Sequence, residues 1–163
     1  MTDPQQTDLA HADTVDALEM TPDIIVDQLA ASAEEYYKRG KLSHARDYLD
    51  QLVMMRPKES QYWTLLGVIH RRQKRRAAAL HCFKKAAELT PKDRNNLVNL
   101  GETLIEVGKV PAGVELMRAV FEEGYDPGKE PEEQDEFTIR AGATLEFVQK
   151  GIRSFVASHE SSE

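Results

Sequence analysis

The chain of 163 residues has one cysteine, Cys82, and no long apolar run. A lone cysteine cannot form a disulfide within the chain, which favours a reducing compartment. No run approaches the roughly 20 apolar residues that a helix needs to cross a bilayer, so we expect no membrane insertion. Residues 1–20 contain no lysine or arginine and no apolar core segment, which argues against a secretory signal or a transit peptide. The sequence therefore predicts a cytoplasmic protein.

Motifs that carry catalysis or bind cofactors are also lacking. There is no phosphate-binding glycine loop, no dinucleotide fingerprint, no zinc-protease motif and no serine-nucleophile elbow. His81 and Cys82, beside His70, resemble metal ligands, but neighbouring helical positions point about 100° apart. Glu102 and Glu106 form one i, i+4 carboxylate pair, a pattern typical of a solvated helix face. We therefore expect no catalytic residue, no metal, no cofactor and no enzymatic activity.

Few residues are aromatic, 7%, while 40% are hydrophobic and 30% are charged, a composition that favours a folded and mainly helical protein. The charge is uneven along the chain. Residues 1–34 carry eight acids and no lysine or arginine, residues 35–121 carry 17 basic and nine acidic residues, and residues 122–163 carry four basic and eleven acidic residues. A basic centre between acidic ends indicates an electrostatic role for the centre.

A 34-residue repeat sets the frame for the whole chain, since Pro57 and Pro91 lie 34 positions apart. The residues that precede the second proline have the spacing of a helix–turn–helix unit: Trp63, Leu66, Gly67, Ala79, Phe83, Ala86 and Pro91. This series resembles the tetratricopeptide (TPR) repeat. The one departure is His70, at a position where an aromatic residue is usual.

The same pattern recurs on either side. The preceding repeat has Leu29, Ala33, Tyr36, Ala45, Leu49, Leu52 and Pro57. The following one is degenerate and has Leu97, Leu100, Gly101, Leu104, Gly113, Met117 and Val120, with Tyr125 in place of the proline. The resemblance therefore covers three repeats, at residues 26–59, 60–93 and 94–127.

The predicted fold is all-α: three TPR helix–turn–helix repeats that form a short right-handed solenoid, with a C-terminal capping helix and an acidic N-terminal extension. Small residues at Ala33, Gly67 and Gly101 would let the two helices of each repeat approach closely. Six helices are predicted, at 22–39, 43–55, 60–73, 77–89, 94–107 and 111–123, and Thr21 is the expected N-cap of the first.

The remaining segments flank the repeat region, 21–127. Residues 128–134 are a predicted linker, and residues 158–163 a tail. A helix over 135–157 has one apolar face, and we expect it to cap the solenoid with a polar outer face. Residues 1–20 are consistent either with a short helix or with a disordered acidic segment.

Residues 69–85, "IHRRQKRRAAALHCFKK", are the most basic part of the chain. In the repeat frame this stretch covers the turn between the two helices of the second repeat, and Lys74 stands where the other repeats have Gly40 and Gly108. It fits a solvated turn, or a surface for an acidic protein partner or for the acidic ends of this chain. Nucleic acid fits poorly, because few aromatic residues interleave with the cations to stack on bases, so we expect no nucleic acid partner.

TPR arrays bind an extended or helical peptide segment of a protein partner along a concave groove formed by the first helix of each repeat. The groove positions of the TPR family include here Ala30, Glu34, Tyr37, Gln61, Thr64, Val68, Arg71, Asn95, Val98, Glu102 and Ile105, and Arg72 is expected on or beside the same surface. Val68, Val98 and Ile105 are apolar residues at positions expected to be exposed to solvent. They predict a groove that binds apolar side chains of a partner. Arg71 and Arg72 are expected to pair with acids of the partner.

The whole chain also resembles the class II chaperones of bacterial type III secretion. Like them it combines three TPR repeats with an acidic N-terminal extension and a closing helix, and "LGETLIEVGKVPAG" is similar to their degenerate third repeat. Those proteins hold a pore-forming translocator in the cytoplasm before export and take a Pro- and Leu-containing segment in the groove. Many dimerise through the N-terminal region, so the resemblance makes a homodimer a candidate.

These patterns predict a non-enzymatic protein-binding module, foremost a chaperone that holds an apolar segment of a secreted partner. Two other interpretations stay open. One is an adaptor subunit of a larger assembly, which would use its convex face or the Arg75/Arg76 edge. The other is an autoinhibited module whose acidic N-terminal segment folds onto the basic turn.

Overall fold

The computed structural model describes residues 22–160, with side chains to residue 157, and the regular structure in that range is helical. The predicted N-cap at Thr21, the acidic extension and the last three residues lie outside the described residues. Seven α-helices follow one another: α1 Pro22–Lys38, α2 Leu42–Met55, α3 Ser60–Arg72, α4 Arg76–Leu89, α5 Arg94–Glu106, α6 Val110–Gly124 and α7 Glu136–Glu160. A single 3-10 turn, Pro131–Glu133, precedes α7.

The first six helices form three antiparallel hairpins that stack in sequence order, α1 with α2, α3 with α4 and α5 with α6. Each end of these helices lies within one residue of the predicted boundary. The repeat period therefore predicts not only the helices but also their lengths. The all-α solenoid is confirmed.

The turns inside the three hairpins share one backbone conformation. Gly40 and Gly108 have φ of 71° and 83°, and Lys74 has φ of 60° at the equivalent position. A left-handed residue ends a helix and reverses the chain, and glycine adopts this conformation without a steric penalty. Lys74 keeps the geometry of the turn at the energetic cost of a side chain in the left-handed region.

Close approach of the two helices requires glycine at Gly67 in the second repeat and at Gly113 in the third. A Cβ on Gly67 would lie 2.7 Å from the Phe83 ring, which is itself fully buried. A Cβ on Gly113 would lie 2.7 Å from the carbonyl oxygen of Gly101. Because that neighbour is backbone, α5 and α6 could not accommodate a methyl group there without separating.

Two apolar cores hold the array together. The first joins α1–α4 and contains buried Val26, Ala33, Ala45, Leu49, Leu52, Val53, Leu66, Ile69 and Cys82. The second joins α5, α6 and α7 and contains buried Val98, Met117, Val120 and Ala141, with Leu97, Ile105, Phe121, Phe137 and Leu145 packed against them. The closing helix is thus part of the core of the third repeat.

Arg94, the first residue of α5, fixes the start of α7. Its guanidinium donates 2.7 Å to Thr138 Oγ1 and 3.0 Å to the Val120 carbonyl, and it lies 2.8 Å from the Asp135 carboxylate. Asp135 also accepts from the Thr138 hydroxyl at 2.6 Å. One arginine therefore links the beginning of α5, the end of α6 and the first turn of α7.

Two expectations about the closing helix are only partly met. Its apolar face is covered at Ala141 and Leu145, but Ile152 and Phe155 are 57% and 63% exposed. The 25 residues of α7 span about 37 Å and the 15 residues of α6 about 22 Å, so the last turns of α7 extend past its partner. The outer face is not uniformly polar either, since Phe147 is 77% exposed.

Candidate functional site

A groove of about 830 Å³ lies along the concave side of the array, between the first helices of the repeats. Residues of α1, α3, α5 and α7, and one residue from the turn before α5, line it. They are Tyr37, Ser60, Gln61, Thr64, Leu65, Val68, Arg71, Asp93, Asn95, Asn99, Glu102 and Arg140. Of the residues expected from the repeat positions, those on the groove wall are Tyr37, Gln61, Thr64, Val68, Arg71, Asn95 and Glu102.

Two of the expected apolar anchors do not line the groove. Val98 is fully buried, and it belongs to the core that α7 completes with Ala141. Ile105 is half-buried and packs against the same core, and its Cγ1 occupies the space beside Gly113. The expectation that Val98 is exposed to a partner is wrong, because α7 covers this part of α5.

Three further expected positions lie away from the groove wall. Ala30 is half-buried against the first core, and Glu34 is exposed and paired with Lys38 at 2.6 Å. Arg72 is exposed, with its guanidinium carbon 5.1 Å from the centre of the Tyr37 ring. Because Tyr37 lines the groove, Arg72 borders its rim.

The apolar part of the groove lies between the first and second repeats. Tyr37, Leu65 and Val68 are all half-buried there and face the open space. Leu65 and Tyr37 also pack on the first core, which holds their side chains in place. A partner side chain that entered here would meet one aromatic ring and two aliphatic residues.

The opposite part of the groove is polar and centres on Glu102. Its carboxylate accepts from Arg71 Nη1 at 2.6 Å, and from Arg140 Nε at 2.9 Å and Nη2 at 2.6 Å. Burial raises the pKa of Glu102, but the hydrogen bonds and charges of Arg140 and Arg71 outweigh it and leave the pKa below its usual value. With Asp93, the groove lining carries two arginines and two carboxylates, so its formal charges balance.

Asparagines continue the polar wall. Arg140 Nη2 donates 3.0 Å to Asn99 Oδ1, and Asn99 Nδ2 donates 3.1 Å to Asn95 Oδ1. Thr64 donates 2.5 Å to Asn96 Oδ1, which ties the second repeat to the third. The amide groups are therefore held in fixed orientations before any ligand arrives.

Reasoning from repeat positions missed Arg140 as a lining residue. It lies in α7, outside the repeats, so no repeat position corresponds to it. Nothing in the local sequence pattern shows where α7 crosses the array, and the salt bridge with Glu102 becomes visible only in the folded chain. Leu65 and Asn99 were also missed, although both belong to the first helices of their repeats.

The described part of the chain offers few features that point to metal binding, a reactive cysteine or a membrane span. Among the side chains of residues 22–157, no three of His, Cys, Asp or Glu come together as a metal site. Cys82 is buried in the first core, and burial raises the pKa of its thiol to about 12. Within the same range, no helix has the length and hydropathy to span a membrane.

Comparison with known families confirms the repeat itself. Residues 60–93 match the tetratricopeptide repeat family, and these are the residues predicted for the second repeat. Comparison with curated protein sequences gives no match.

Solved structures share the fold at low sequence identity. The Yersinia enterocolitica translocator chaperone SycD, solved with a peptide of the translocator YopD, has TM-score 0.68 and 20% identity over 82% of this chain and 98% of that one. PcrH, in complex with the chaperone-binding region of PopD, has TM-score 0.65 and 21% identity over 78% and 93%. The Sgt2 TPR domain of Aspergillus fumigatus has TM-score 0.65 and 18% identity over 84% and 83%. The similarity to type III secretion translocator chaperones is thus one of architecture.

Proposed function

We propose that the protein is a cytoplasmic, non-enzymatic chaperone that holds an apolar segment of a secreted, translocator-type partner in its concave groove. The observation that carries the proposal is a preformed groove with an apolar part at Tyr37, Leu65 and Val68 and a polar part at Glu102 and Arg140. The chaperones SycD and PcrH, which share the architecture, have been solved with translocator segments. The resemblance to those chaperones also makes a homodimer through the N-terminal region a candidate, which would compete with any contact of that region within one chain.

Binding would combine two physical effects. A partner leucine or valine that is fully buried against the apolar part contributes about 1.5–3 kcal/mol, which favours a segment that seeks membranes when free. Gln61 and Asn95 carry amide groups that can hydrogen-bond an extended backbone, and Arg72 at the rim, exposed and without an ion pair in the described range, can pair with a carboxylate. Masking of the apolar side chains would keep the partner from aggregating before export.

The test is the capture of host proteins by the tagged full-length chain, with bound proteins identified by mass spectrometry. Wild type should retain one dominant partner that has a long apolar segment. Val68→Glu places a charge in the apolar part of the groove and should reduce capture at least tenfold. Met54→Glu is the matched control, since Met54 lies on α2 and is 81% exposed, and it should capture the partner as wild type does.

Equal capture by wild type and Val68→Glu, with circular dichroism showing both folded, would contradict the groove as the binding site. Several assembly subunits in place of one dominant partner would favour the adaptor. The exposed Phe147 and Ile152 on α7 support that second candidate, because they offer an apolar surface away from the groove.

A further inference from the structure

The turns inside the three hairpins carry a row of exposed cations on one edge of the array. Because consecutive helices are antiparallel and their connections are short, the ends of α1, α3 and α5 lie side by side on this edge. The contact between Arg72 and the Tyr37 ring shows two of these ends adjacent. We define the basic edge as Lys41, Arg72, Lys74, Arg75, Arg76 and Lys109, all of which are exposed.

None of these six cations forms an ion pair with the side chains of residues 22–157. The nearby carboxylates of Glu34 and Glu35 are already paired with Lys38 and Arg39, each at 2.6 Å. Glu106, at the end of α5, is exposed and is also without an ion pair in the described range. Positive charge therefore exceeds negative charge along this edge.

The opposite edge of the array has a different balance of acidic and basic side chains. There Lys58 is followed by Glu59 and Lys92 by Asp93, and Arg56 is paired with the Asp23 carboxylate. The link before α7 adds further acids on that side. The charge of the solenoid is thus separated across its width, with the unpaired cations at the hairpin turns.

We propose that the basic edge binds the acidic N-terminal segment, residues 1–20, of the same chain. This segment lies outside the described residues and carries five acids, with no lysine or arginine. These are Asp3, Asp8, Asp13, Asp16 and Glu19. Opposite charge steers such a segment to the basic edge and away from the acidic opposite edge.

The length of the chain allows the contact. Helix α1 begins on the opposite edge and its 17 residues span about 25 Å. Twenty extended residues can reach roughly 70 Å, so the segment can cross the width of the array. A tethered partner has an effective concentration of about millimolar, which favours it over acidic proteins in solution. The proposal does not depend on what the groove binds.

The test is zero-length carbodiimide cross-linking of the full-length chain, with the coupled residues mapped by mass spectrometry. This reagent joins a lysine amine to a carboxylate that it already contacts. We expect links from Lys41, Lys74 and Lys109 to the carboxylates of Asp3, Asp8 and Asp13, because Asp16 and Glu19 lie too few residues before Pro22 to cross the roughly 25 Å of α1. Lys58 and Lys92, on the opposite edge, should give at least fivefold fewer links to these three carboxylates.

A mixture of ¹⁵N-labelled and unlabelled protein identifies the source of the segment. Links in which both peptides carry the same label come from one chain and support the proposal. Links of mixed label at the statistical proportion would show that the segment comes from a second copy, which overturns it. No link from the basic edge to Asp3, Asp8 or Asp13, or equal links to them at both edges, would also overturn it.

Charge variants supply a matched comparison. Arg75→Glu with Arg76→Glu should reduce the links at Lys74 several-fold. Lys58→Glu with Lys92→Glu changes the net charge by the same amount on the opposite edge and should leave those links in place. At 1 M salt, where the Debye length is about 3 Å, the wild-type links should also decline. Unchanged links under the first pair of substitutions would contradict an electrostatic contact.

Discussion

Arg140 in α7 binds Glu102 in α5 through two charge-assisted hydrogen bonds, 2.9 Å from Nε and 2.6 Å from Nη2. Arg71 in α3 donates to the same carboxylate at 2.6 Å. The side chain of Glu102 is only 19% exposed, so this cluster is largely shielded from solvent. One carboxylate therefore connects the second repeat, the third repeat and the closing helix.

Replacement of Glu102 by glutamine should lower the free energy of unfolding by about 1–3 kcal/mol, because two partly buried arginines lose their counter-charge. Urea unfolding at pH 7 measures this change. Glu106→Gln is the control, since Glu106 is exposed on the same helix and forms no ion pair in the described range. Equal losses in both variants would contradict a special role for Glu102.

The same residue predicts an effect of acid. The pKa of Glu102 is lowered in the folded protein, so its contribution to stability is complete above about pH 4.5, the usual value, and is lost as the pH falls further through the folded pKa. Wild type and Glu102→Gln should therefore converge in stability at low pH. A difference that stays constant from pH 7 to pH 3 would contradict this assignment.

Lys74→Gly should stabilise the protein. Lys74 has φ of 60°, and a residue with a side chain costs about 1 kcal/mol in the left-handed region, where glycine does not. The midpoint of thermal unfolding should rise accordingly. Gln73→Gly is the control in the same turn, because Gln73 has φ of −80° and glycine there only adds freedom to the unfolded chain. A lower midpoint for Lys74→Gly would refute the strain.

His70 should make stability depend on pH near neutrality. Burial lowers its pKa in the folded protein, while Asp50 raises it and Arg75 and Arg46 lower it. The unfolded chain therefore takes up the proton first, so stability is highest above pH 6.5 and falls as the pH drops below that value. Urea unfolding between pH 7.5 and pH 5.5 measures the slope.

Replacement of His70 by phenylalanine should remove most of this slope, since the ring is 9% exposed and the TPR pattern has an aromatic residue here. His81→Phe is the control: His81 is exposed on α4, so its loss should leave the slope in place. An unchanged slope in His70→Phe would show that another group causes it.

The repeat pattern predicts the hairpins well because it records contacts between neighbours in sequence. Gly67 and Phe83, or Gly113 and the backbone of Gly101, meet within one hairpin, so their spacing is visible in the chain. The groove was predicted less completely. Val98 occupies a groove position of its repeat, and only the path of α7 over the third repeat shows that it is buried.

Arg140 illustrates the same limit. Its partner Glu102 lies 38 positions earlier, and no period relates the two residues. Sequence reasoning could identify Glu102 and Arg71 as groove residues, because each follows from a repeat position. It could not show that Arg140 of the closing helix binds Glu102. Nor could it show that Arg140 and Arg71 share the same carboxylate.

Helix α7 ends the stack of helical hairpins on one side. Helices that repeat by a fixed step can in principle continue without end, because each hairpin leaves an exposed face for the next. Here α7 lies on α6 and fills the space beside Val98, so another hairpin could stack there only by displacing it. The stack of hairpins therefore ends at α7 on this side, and Arg140 of that helix lines the concave groove beside the third repeat.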